Sequence, residues 1–288
     1  MLRRMFQSFL SAQEMLRARP LRYLFVLGHV RSGSSLLVHI LNSHPEICAV
    51  GESWLLYDGE ATFRKLVPFI HATLRKPFLT ETYVVDKILD NELLEREELL
   101  RLPRVSSIFL LRDPERSLLS MYTHRIRLKI ISDWPDALSY YEGRLERLAR
   151  DARFIDDRRR SMLVLYEELI DRPRPCLDAL GAFLDLRAPL PLTYGVHSFT
   201  GVDGLGDFSE HIKAGTIEKT PPPTEIRVPE DILSRGKAAY DDCVAELSAL
   251  CTTVPTPWHS GTPPTGRTGA GWRASSAASS PAATSRAP

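Results

Sequence analysis

The sequence predicts an α/β fold, in which helices flank a parallel β-sheet of the phosphate-binding-loop (P-loop) type. Short apolar runs, which are typical of buried strands, alternate along the chain with segments of helical periodicity. The first of these runs is followed by a glycine-containing loop and then by an apolar helix. Strands that alternate with helices in this way usually form a parallel sheet with helices on both faces.

Four strands are predicted from short apolar runs, and they cover residues 21–27, 83–85, 107–111 and 162–166. Segments with a helical pattern lie between or after these strands, at residues 34–41, 91–100 and 175–184. The charged segment 123–160 is also predicted to be helical, and we interpret it as solvated helix surface. The segment 189–229 contains many Gly and Pro residues, which predicts long loops.

The chain is predicted to contain one main domain with an extension at each end. Apolar residues at helical spacing predict an N-terminal helix over residues 1–20, and the α/β domain covers residues 21–251. The segment 252–288 is rich in Pro, Gly, Ser, Ala and Thr and contains no acidic residue. Such a composition buries too little apolar surface to offset the entropy cost of ordering, so we predict a disordered tail.

Composition excludes several classes of protein. The 288 residues carry a formal net charge of +1, which argues against bulk nucleic-acid binding. No apolar run approaches the roughly 20 residues of a membrane helix, so no transmembrane segment is predicted. The cysteines are scattered without a C-x-x-C pair, which predicts reduced thiols in a cytoplasmic protein and neither a zinc site nor a disulfide framework. These cysteines are Cys48, Cys176, Cys243 and Cys251.

The segment 28–35, with the sequence GHVRSGSS, has the outline of the phosphate-binding motif G-x-x-x-x-G-K-[ST]. Ser34 stands where that motif has lysine. A glycine loop that leads into a helix directs backbone N–H groups at one anion, and Arg31 adds a positive charge. The other candidate ligand-binding residues of the loop are Ser32, Gly33, Ser34 and Ser35. The loop fits a 5′-phosphate better than a triphosphate, although a serine-rich turn that caps a helix remains an alternative.

A second candidate anion site follows the third predicted strand. Arg112 lies where the strand ends, and Asp113-Pro114 is a typical start of a helix. Ser120 lies two helical turns after Asp113, so Arg112 and Ser120 can converge on one anion near the carboxyl edge of the sheet. The alternative is an arginine in a surface ion pair and an incidental serine.

These segments resemble those of the sulfotransferases that use 3′-phosphoadenosine 5′-phosphosulfate (PAPS). RSGSSLLVHILNSHPEICAVGE resembles their 5′-phosphosulfate loop, with a Gly-Glu step similar to that of the tyrosylprotein and bacterial branches. RDPERSLLS resembles their 3′-phosphate motif, in which serine follows arginine by eight residues. LVLYEELIDRPRPCLDALGAFLDL is similar to a further segment, which we interpret as structural. The likeness extends from about residue 22 to residue 186.

The resemblance implies PAPS as co-substrate, no metal, and a hydroxyl acceptor that is a small molecule, a carbohydrate or a lipid. It implies that Arg31 meets the leaving oxygen, that Glu52 is the catalytic base and that Lys87 assists the leaving group. An ion pair with a core arginine is the alternative role for Glu52, and Asp86 offers Lys87 an alternative structural partner. No segment clearly matches the family's third donor-binding segment, where Lys213 or Lys219 is a candidate.

Two histidines also have predicted roles. His124, in the second predicted helix, is a weaker candidate for the base, and His44 is predicted to form hydrogen bonds at a helix end. An atypical P-loop kinase and a nucleotide-binding module without catalysis remain alternative functions.

Overall fold

The computed structural model describes residues 20–76, 80–124, 131–196, 200, 210–218 and 225–255. Its strands form one six-stranded sheet in which every pair is parallel. The strands are β1 (Arg22–Gly28), β2 (Ile47–Ala49), β3 (Tyr83–Ile88), β4 (Val105–Leu111), β5 (Ser161–Leu165) and β6 (Thr252–Thr253). Their order across the sheet is β2-β3-β1-β4-β5-β6. The predicted parallel sheet is therefore confirmed.

Helices cover both faces of this sheet. The α-helices are α1 (Ser34–Asn42), α2 (Phe63–Leu74), α3 (Pro114–Thr123), α4 (Trp134–Ile155), α5 (Tyr166–Asp171), α6 (Pro173–Phe183) and α7 (Glu230–Leu250). Short 3₁₀ helices cover Glu60–Thr62, Glu97–Arg101 and Glu210–Ala214. The helix predicted over 91–100 was wrong in type and extent, because the 3₁₀ helix Glu97–Arg101 is the only helical part of that segment.

The central strand β1 is apolar on both sides because it lies between two layers of helices. Leu24 and Val26 belong to one core cluster, which also contains apolar residues of α1 and α6. Phe25 and Leu27 belong to the other, with residues of α2, α4 and α7. Near-continuous apolar sequence is typical of a parallel strand that is buried in this way, which is why β1 is readable from the sequence.

The order of the strands places a topological switch point at the carboxyl end of β1. The chain runs from β1 to β2 and β3 on one side, and later crosses to β4 on the other side. Connections therefore leave β1 and its neighbours in opposite directions, and ligands of open α/β sheets bind at such a switch point. The last residues of the three strands that border this point are Gly28, Ile88 and Leu111.

The charged segment 123–160 is not simply solvated surface, so that interpretation was wrong for one of its faces. Its helix α4 packs against α7, and its residues Tyr141 and Arg144 are buried, with exposed fractions of 0% and 2%. The sequence concealed this face because an arginine is rarely buried.

The two ends of the chain are described only in part. Residues 1–19 of the N-terminal helix predicted over 1–20 lie outside the described residues, and so does the predicted tail from residue 256 onward. Thr252 and Thr253, the first residues of that predicted tail, pair with β5 as the last strand of the sheet. The described ranges contain no helix that is both long enough and apolar enough to cross a membrane.

All four cysteines are buried thiols. Burial raises the pKa values of three of them to about 12, since a thiolate is poorly solvated in the protein interior. These three are Cys176, Cys243 and Cys251.

Candidate active site

The predicted phosphate loop connects β1 to α1 and is shaped by a glycine at each end. A Cβ atom on Gly28 would lie 2.9 Å from the carbonyl oxygen of Leu110, so a larger residue does not fit. Gly33 is the N-cap of α1, with a φ of 88° that favours glycine. The first backbone N–H groups of α1 have no carbonyl partner within the helix. Together with the helix dipole, they supply the donors on which the predicted anion site depends.

The three serines of this loop occupy different surroundings. Ser32 is fully buried, and its hydroxyl is directed toward Gly28 beneath the loop, where it has no hydrogen-bond partner within the described ranges. Ser34 is buried as the first residue of α1. Ser35 is half-buried beside it, and its hydroxyl accepts a hydrogen bond from Lys87 Nζ at 3.4 Å.

The two predicted anion-binding segments meet in the structure. Arg31 Nε donates to Ser120 Oγ at 2.9 Å, and Arg112 Nη1 donates to the carbonyl oxygen of Arg31 at 3.0 Å. Burial lowers the pKa of Arg112 because its charge is partly removed from water. Arg112 Nε is buried and has no partner in the part of the chain that the structure describes. The Arg112 guanidinium therefore lies against the phosphate loop, with its Nε left as a donor for an anion.

Tyr166, the first residue of α5, contacts both segments. The guanidinium of Arg112 lies over its ring, 4.5 Å from the centroid. A Cβ atom on Gly33 would lie only 2.2 Å from Tyr166 Cδ2. The ring therefore fills the space beside the phosphate loop and supports Arg112 at the same time.

Glu52 and Lys87 form a buried ion pair at the same edge of the sheet. Lys87 Nζ lies 3.0 Å from Glu52 Oε1, and their side chains are 1% and 9% exposed. Lys87 belongs to β3, opposite Val26 of the neighbouring strand β1. Its ammonium lies between the Glu52 carboxylate and Ser35, at the start of α1. A cation from β3 thus reaches the loop whose own lysine position is occupied by Ser34.

Comparison with known proteins rests on structure, because no protein-family model and no curated protein matches the sequence. A sulfotransferase domain from the curacin biosynthetic pathway superimposes with a TM-score of 0.55. The alignment has 16% sequence identity and covers 80% of this chain and 99% of that domain. The chain has the fold of a sulfotransferase domain.

Two further solved structures were found in the same search. The sulfotransferase domain of the Synechococcus PCC 7002 olefin synthase has a TM-score of 0.48 and 19% identity, over 76% of this chain and 94% of that domain. Mouse sulfotransferase SULT7A1, solved as a complex with PAP, has a TM-score of 0.44 and 13% identity, over 82% of this chain and 87% of the mouse chain.

Arg144 is a residue that sequence reasoning missed, and it joins two strands of this sulfotransferase fold. It donates from Nε to the carbonyl oxygen of Gly28 at 2.7 Å and from Nη2 to that of Ile88 at 2.7 Å. Its Nη1 donates to Asn91 Oδ1 at 2.8 Å. The guanidinium therefore ties together the carboxyl ends of β1, which leads into the phosphate loop, and β3, which carries Lys87. Arg144 lies in a charged helix and belongs to no recognisable sequence motif.

Two neighbouring tyrosines of α4 add to this arrangement. Tyr140 accepts from the backbone N–H of Val30 at 2.9 Å and donates to the carbonyl oxygen of Leu89 at 2.7 Å. Tyr141 donates to the carbonyl oxygen of Arg112 at 3.0 Å. Helix α4 is thus bonded to the phosphate loop, the end of β3 and the end of β4. The adjacent aromatic pair in an otherwise charged segment was the only available signal.

The histidines of the predicted segments have different surroundings. Burial lowers the pKa of His29 to about 3, so this residue is neutral at pH 7. His44 is held by hydrogen bonds at both ring nitrogens, from the N–H of Glu46 at 3.1 Å and with the carbonyl oxygen of Ala188 at 3.0 Å. This agrees with its predicted role.

His124, the weaker candidate for the base, is the C-cap of α3. Its Nδ1 lies 2.8 Å from the carbonyl oxygen of Ser120, so this nitrogen donates within the helix end. Of the lysines considered for the third donor-binding segment, Lys213 lies in the 3₁₀ helix Glu210–Ala214, while Lys219 lies outside the described residues.

A cleft of about 370 Å³ lies beside Tyr166, between α3 and α5. Its lining is mixed, with apolar residues such as Leu119 and Ile170 and carboxylates such as Glu167. Neither Glu52 nor Lys87 lines it, so this cleft is not where that pair is found. Across the described ranges, no group of three His, Cys, Asp or Glu side chains is arranged to hold a metal ion.

Proposed function

We propose that the protein is a sulfotransferase that transfers a sulfuryl group from PAPS to a hydroxyl acceptor. One observation carries the proposal: the two anion-binding segments are joined directly, through Arg112 Nη1 and the carbonyl oxygen of Arg31. A donor with phosphates at two ends needs two basic sites at a fixed separation, and a single phosphate loop does not provide them. The sulfotransferase fold supports the same conclusion.

The residues present fit such a donor. The amides at the start of α1, with Ser34, Ser35 and Arg31, would hold its 5′ end. Arg112 and Ser120 would hold the 3′-phosphate. The buried Arg112 Nε supports this assignment, because buried donors in proteins nearly always have a partner and a bound phosphate supplies one. When bound, PAPS supplies a sulfuryl group attached to a phosphate leaving group.

The tasks of the chain are to position the acceptor, remove its proton and stabilise negative charge. In the proposal, Glu52 accepts the proton of the acceptor hydroxyl at a carboxylate oxygen. Lys87 places its ammonium between that carboxylate and Ser35, and so stabilises charge that develops near the loop. Arg31 adds a second cation from the loop itself.

We propose the acceptor by its chemical class. It is a small molecule, a carbohydrate or a lipid that carries a hydroxyl group. We place the reaction in the cytoplasm, which the buried thiols of all four cysteines support.

Ligand-dependent melting tests the donor site. A ligand at one hundred times its dissociation constant stabilises the folded state by about 2.7 kcal/mol. For a chain of this size that raises the melting temperature by roughly 5–10 °C. The ligand for this test is 3′,5′-adenosine bisphosphate (PAP), which is PAPS without its sulfuryl group. We expect PAP to raise the melting temperature by this amount in the absence of metal, and we expect Arg112→Ala to abolish the rise. Arg159→Ala is the matched control, because the Arg159 side chain is 89% exposed. A rise with ATP and magnesium alone would instead favour the kinase.

Turnover tests the catalytic pair. Glu52→Gln and Lys87→Met should each reduce the consumption of PAPS at least a hundredfold, since they remove the base and the central cation. Both variants should still bind PAP within a few fold of the parent protein. PAP binding without any consumption of PAPS by the parent protein, with hydroxyl acceptors supplied, would instead favour the non-catalytic module.

A further inference from the structure

Asp86 is a buried carboxylate that the proposed reaction does not use. It belongs to β3, directly before Lys87, and it is 2% exposed. Its oxygens accept hydrogen bonds from Tyr57 OH at 2.7 Å, from the N–H of Lys87 at 2.9 Å and from the N–H of Ser53 at 3.0 Å. The hydroxyl of Ser53 donates to it as well. All four donors are neutral groups.

These bonds lie where the chain leaves the sheet. The pairing of β2 with β3 ends at Ala49, and the N–H of Lys87 then donates to the carbonyl oxygen of Gly51 at 3.2 Å. The chain turns away at Gly51, whose φ is 90°. The next donor on this edge, the N–H of Ser53, is bonded to Asp86 instead of to a backbone carbonyl.

Glu52 is therefore fixed on both sides. The residue before it is bonded to the backbone of β3, and the residue after it is bonded to the Asp86 side chain. Successive side chains of a strand point to opposite faces, so Asp86 does not compete with Glu52 for the ammonium of Lys87. Asp86 holds the backbone of both residues from one face, while their side chains meet at 3.0 Å on the other.

We propose that Asp86 is a positioning residue, which with Ser53 and Tyr57 fixes the Glu52 carboxylate against the Lys87 ammonium. This inference rests on the proposed sulfotransferase reaction. It assigns Asp86 no contact with the donor. A fully bonded buried network of this kind gives one defined geometry, and small displacements of a reacting group lower turnover strongly.

The test replaces Asp86 by Asn, which keeps the shape but turns one acceptor oxygen into a donor group. We expect kcat to fall tenfold to a hundredfold, while the KM for PAPS and the Kd for PAP stay within twofold. Hydrogen exchange of the backbone amides in residues 51–57 should become faster, independently of turnover. Tyr57→Phe removes one of the four hydrogen-bond donors to Asp86 and should lower kcat two- to fivefold. This variant replaces Asp86→Asn in the test if Asp86→Asn does not fold.

Asp151→Asn is the matched control. Asp151 is also a buried carboxylate, 1% exposed, but its partner is Arg147 within α4, at 2.7 Å. Per mole of folded protein, kcat of this variant should stay within twofold of the parent.

The possible results separate this inference from the function on which it rests. Faster exchange in Asp86→Asn with unchanged kcat would overturn it, and so would unchanged exchange. An equal fall of kcat in Asp151→Asn would also overturn it, because the effect would then be a general loss of packing. If the parent protein consumes no PAPS, the proposed function itself fails, and the inference fails with it. A fall of kcat in Asp86→Asn but not in Asp151→Asn would support both the inference about Asp86 and the proposed function.

Discussion

Gly33→Ala tests whether the phosphate loop and the Arg112 site depend on each other. A Cβ atom at this position would lie 2.2 Å from Cδ2 and 2.4 Å from Cε2 of Tyr166. Ordinary contacts between carbon atoms are about 3.5–4.0 Å, so the overlap exceeds about 1 Å. The ring of Tyr166 supports the Arg112 guanidinium at 4.5 Å. A displacement of that ring therefore moves Arg112 as well.

The expected loss of stability in Gly33→Ala has two parts. At a φ of 88°, alanine is strained by about 1 kcal/mol relative to glycine. Overpacking against a tightly held ring costs about 1–3 kcal/mol more. The sum, about 2–4 kcal/mol, lowers the melting temperature by roughly 5–15 °C in a chain of this size. We expect the affinity for PAP to fall at least tenfold, because both anion-binding segments are disturbed.

Urea denaturation and calorimetric titration with PAP measure these two effects. Gly143→Ala and Gly181→Ala are matched controls, because a Cβ atom on either helical glycine meets nothing within 4 Å. Both controls should become more stable, by about 0.5–1 kcal/mol, since alanine is the better helix former.

If Gly33→Ala has the same stability against urea and the same affinity for PAP as the parent protein, the phosphate loop and the Arg112 site do not depend on each other. A double variant provides a second check. In Gly33→Ala/Tyr166→Ala the ring that causes the overlap is absent. Its loss of stability should be smaller than the sum of the two single losses by at least about 1 kcal/mol, as expected for residues in contact. Additive losses would show that the overlap with Tyr166 is not the cause.

Three further predictions concern single residues. Arg144→Met leaves the buried carbonyl oxygens of Gly28 and Ile88 without their donor, at about 1–3 kcal/mol each, so urea denaturation should show a loss of about 2–6 kcal/mol. The exposed Arg159→Met should change stability by less than about 0.5 kcal/mol. His29 has a pKa of about 3 when folded, against 6.5 when unfolded, so between these values the unfolded chain binds more protons. Stability should therefore fall as the pH falls, by up to about 1.4 kcal/mol per pH unit, and His29→Gln should flatten this slope in unfolding curves at pH 4–7. Arg112→Lys keeps the charge but loses the planar guanidinium, so calorimetry should show at least a tenfold weaker affinity for PAP; unchanged affinity would contradict this role.

The parts of the fold that the sequence reveals are those with a strong local pattern. Strands β1, β3, β4 and β5 were predicted because central parallel strands are apolar on both faces. Strand β2 has three residues and β6 has two, which is too short for any periodic signal. Helix α2 contains Pro68, which normally marks the end of a helix, and it was not predicted.

The candidate site was predicted as a set of residues but not as a set of contacts. The sequence allowed Lys87 to pair with Asp86, yet adjacent residues of one strand point to opposite faces, and Lys87 meets Glu52 instead. Arg144 was missed because two of its three partners are backbone carbonyl groups, which carry no sequence signal. Contacts of this kind depend on which elements become neighbours, and a single sequence does not state that.

The position of Lys87 shows why the order of the strands in the sheet matters. In the phosphate-binding motif the lysine is part of the loop, so its replacement by Ser34 suggests a loop with less positive charge. In the sheet, however, β3 lies beside β1, and the register that places Lys87 opposite Val26 brings its ammonium to the start of α1. Because Glu52 pairs with that ammonium, the cation comes together with its own candidate base. This ion pair links the loop to a carboxylate from a different part of the chain. The order of the strands, as much as the loop motif, therefore determines which chemistry this loop can support.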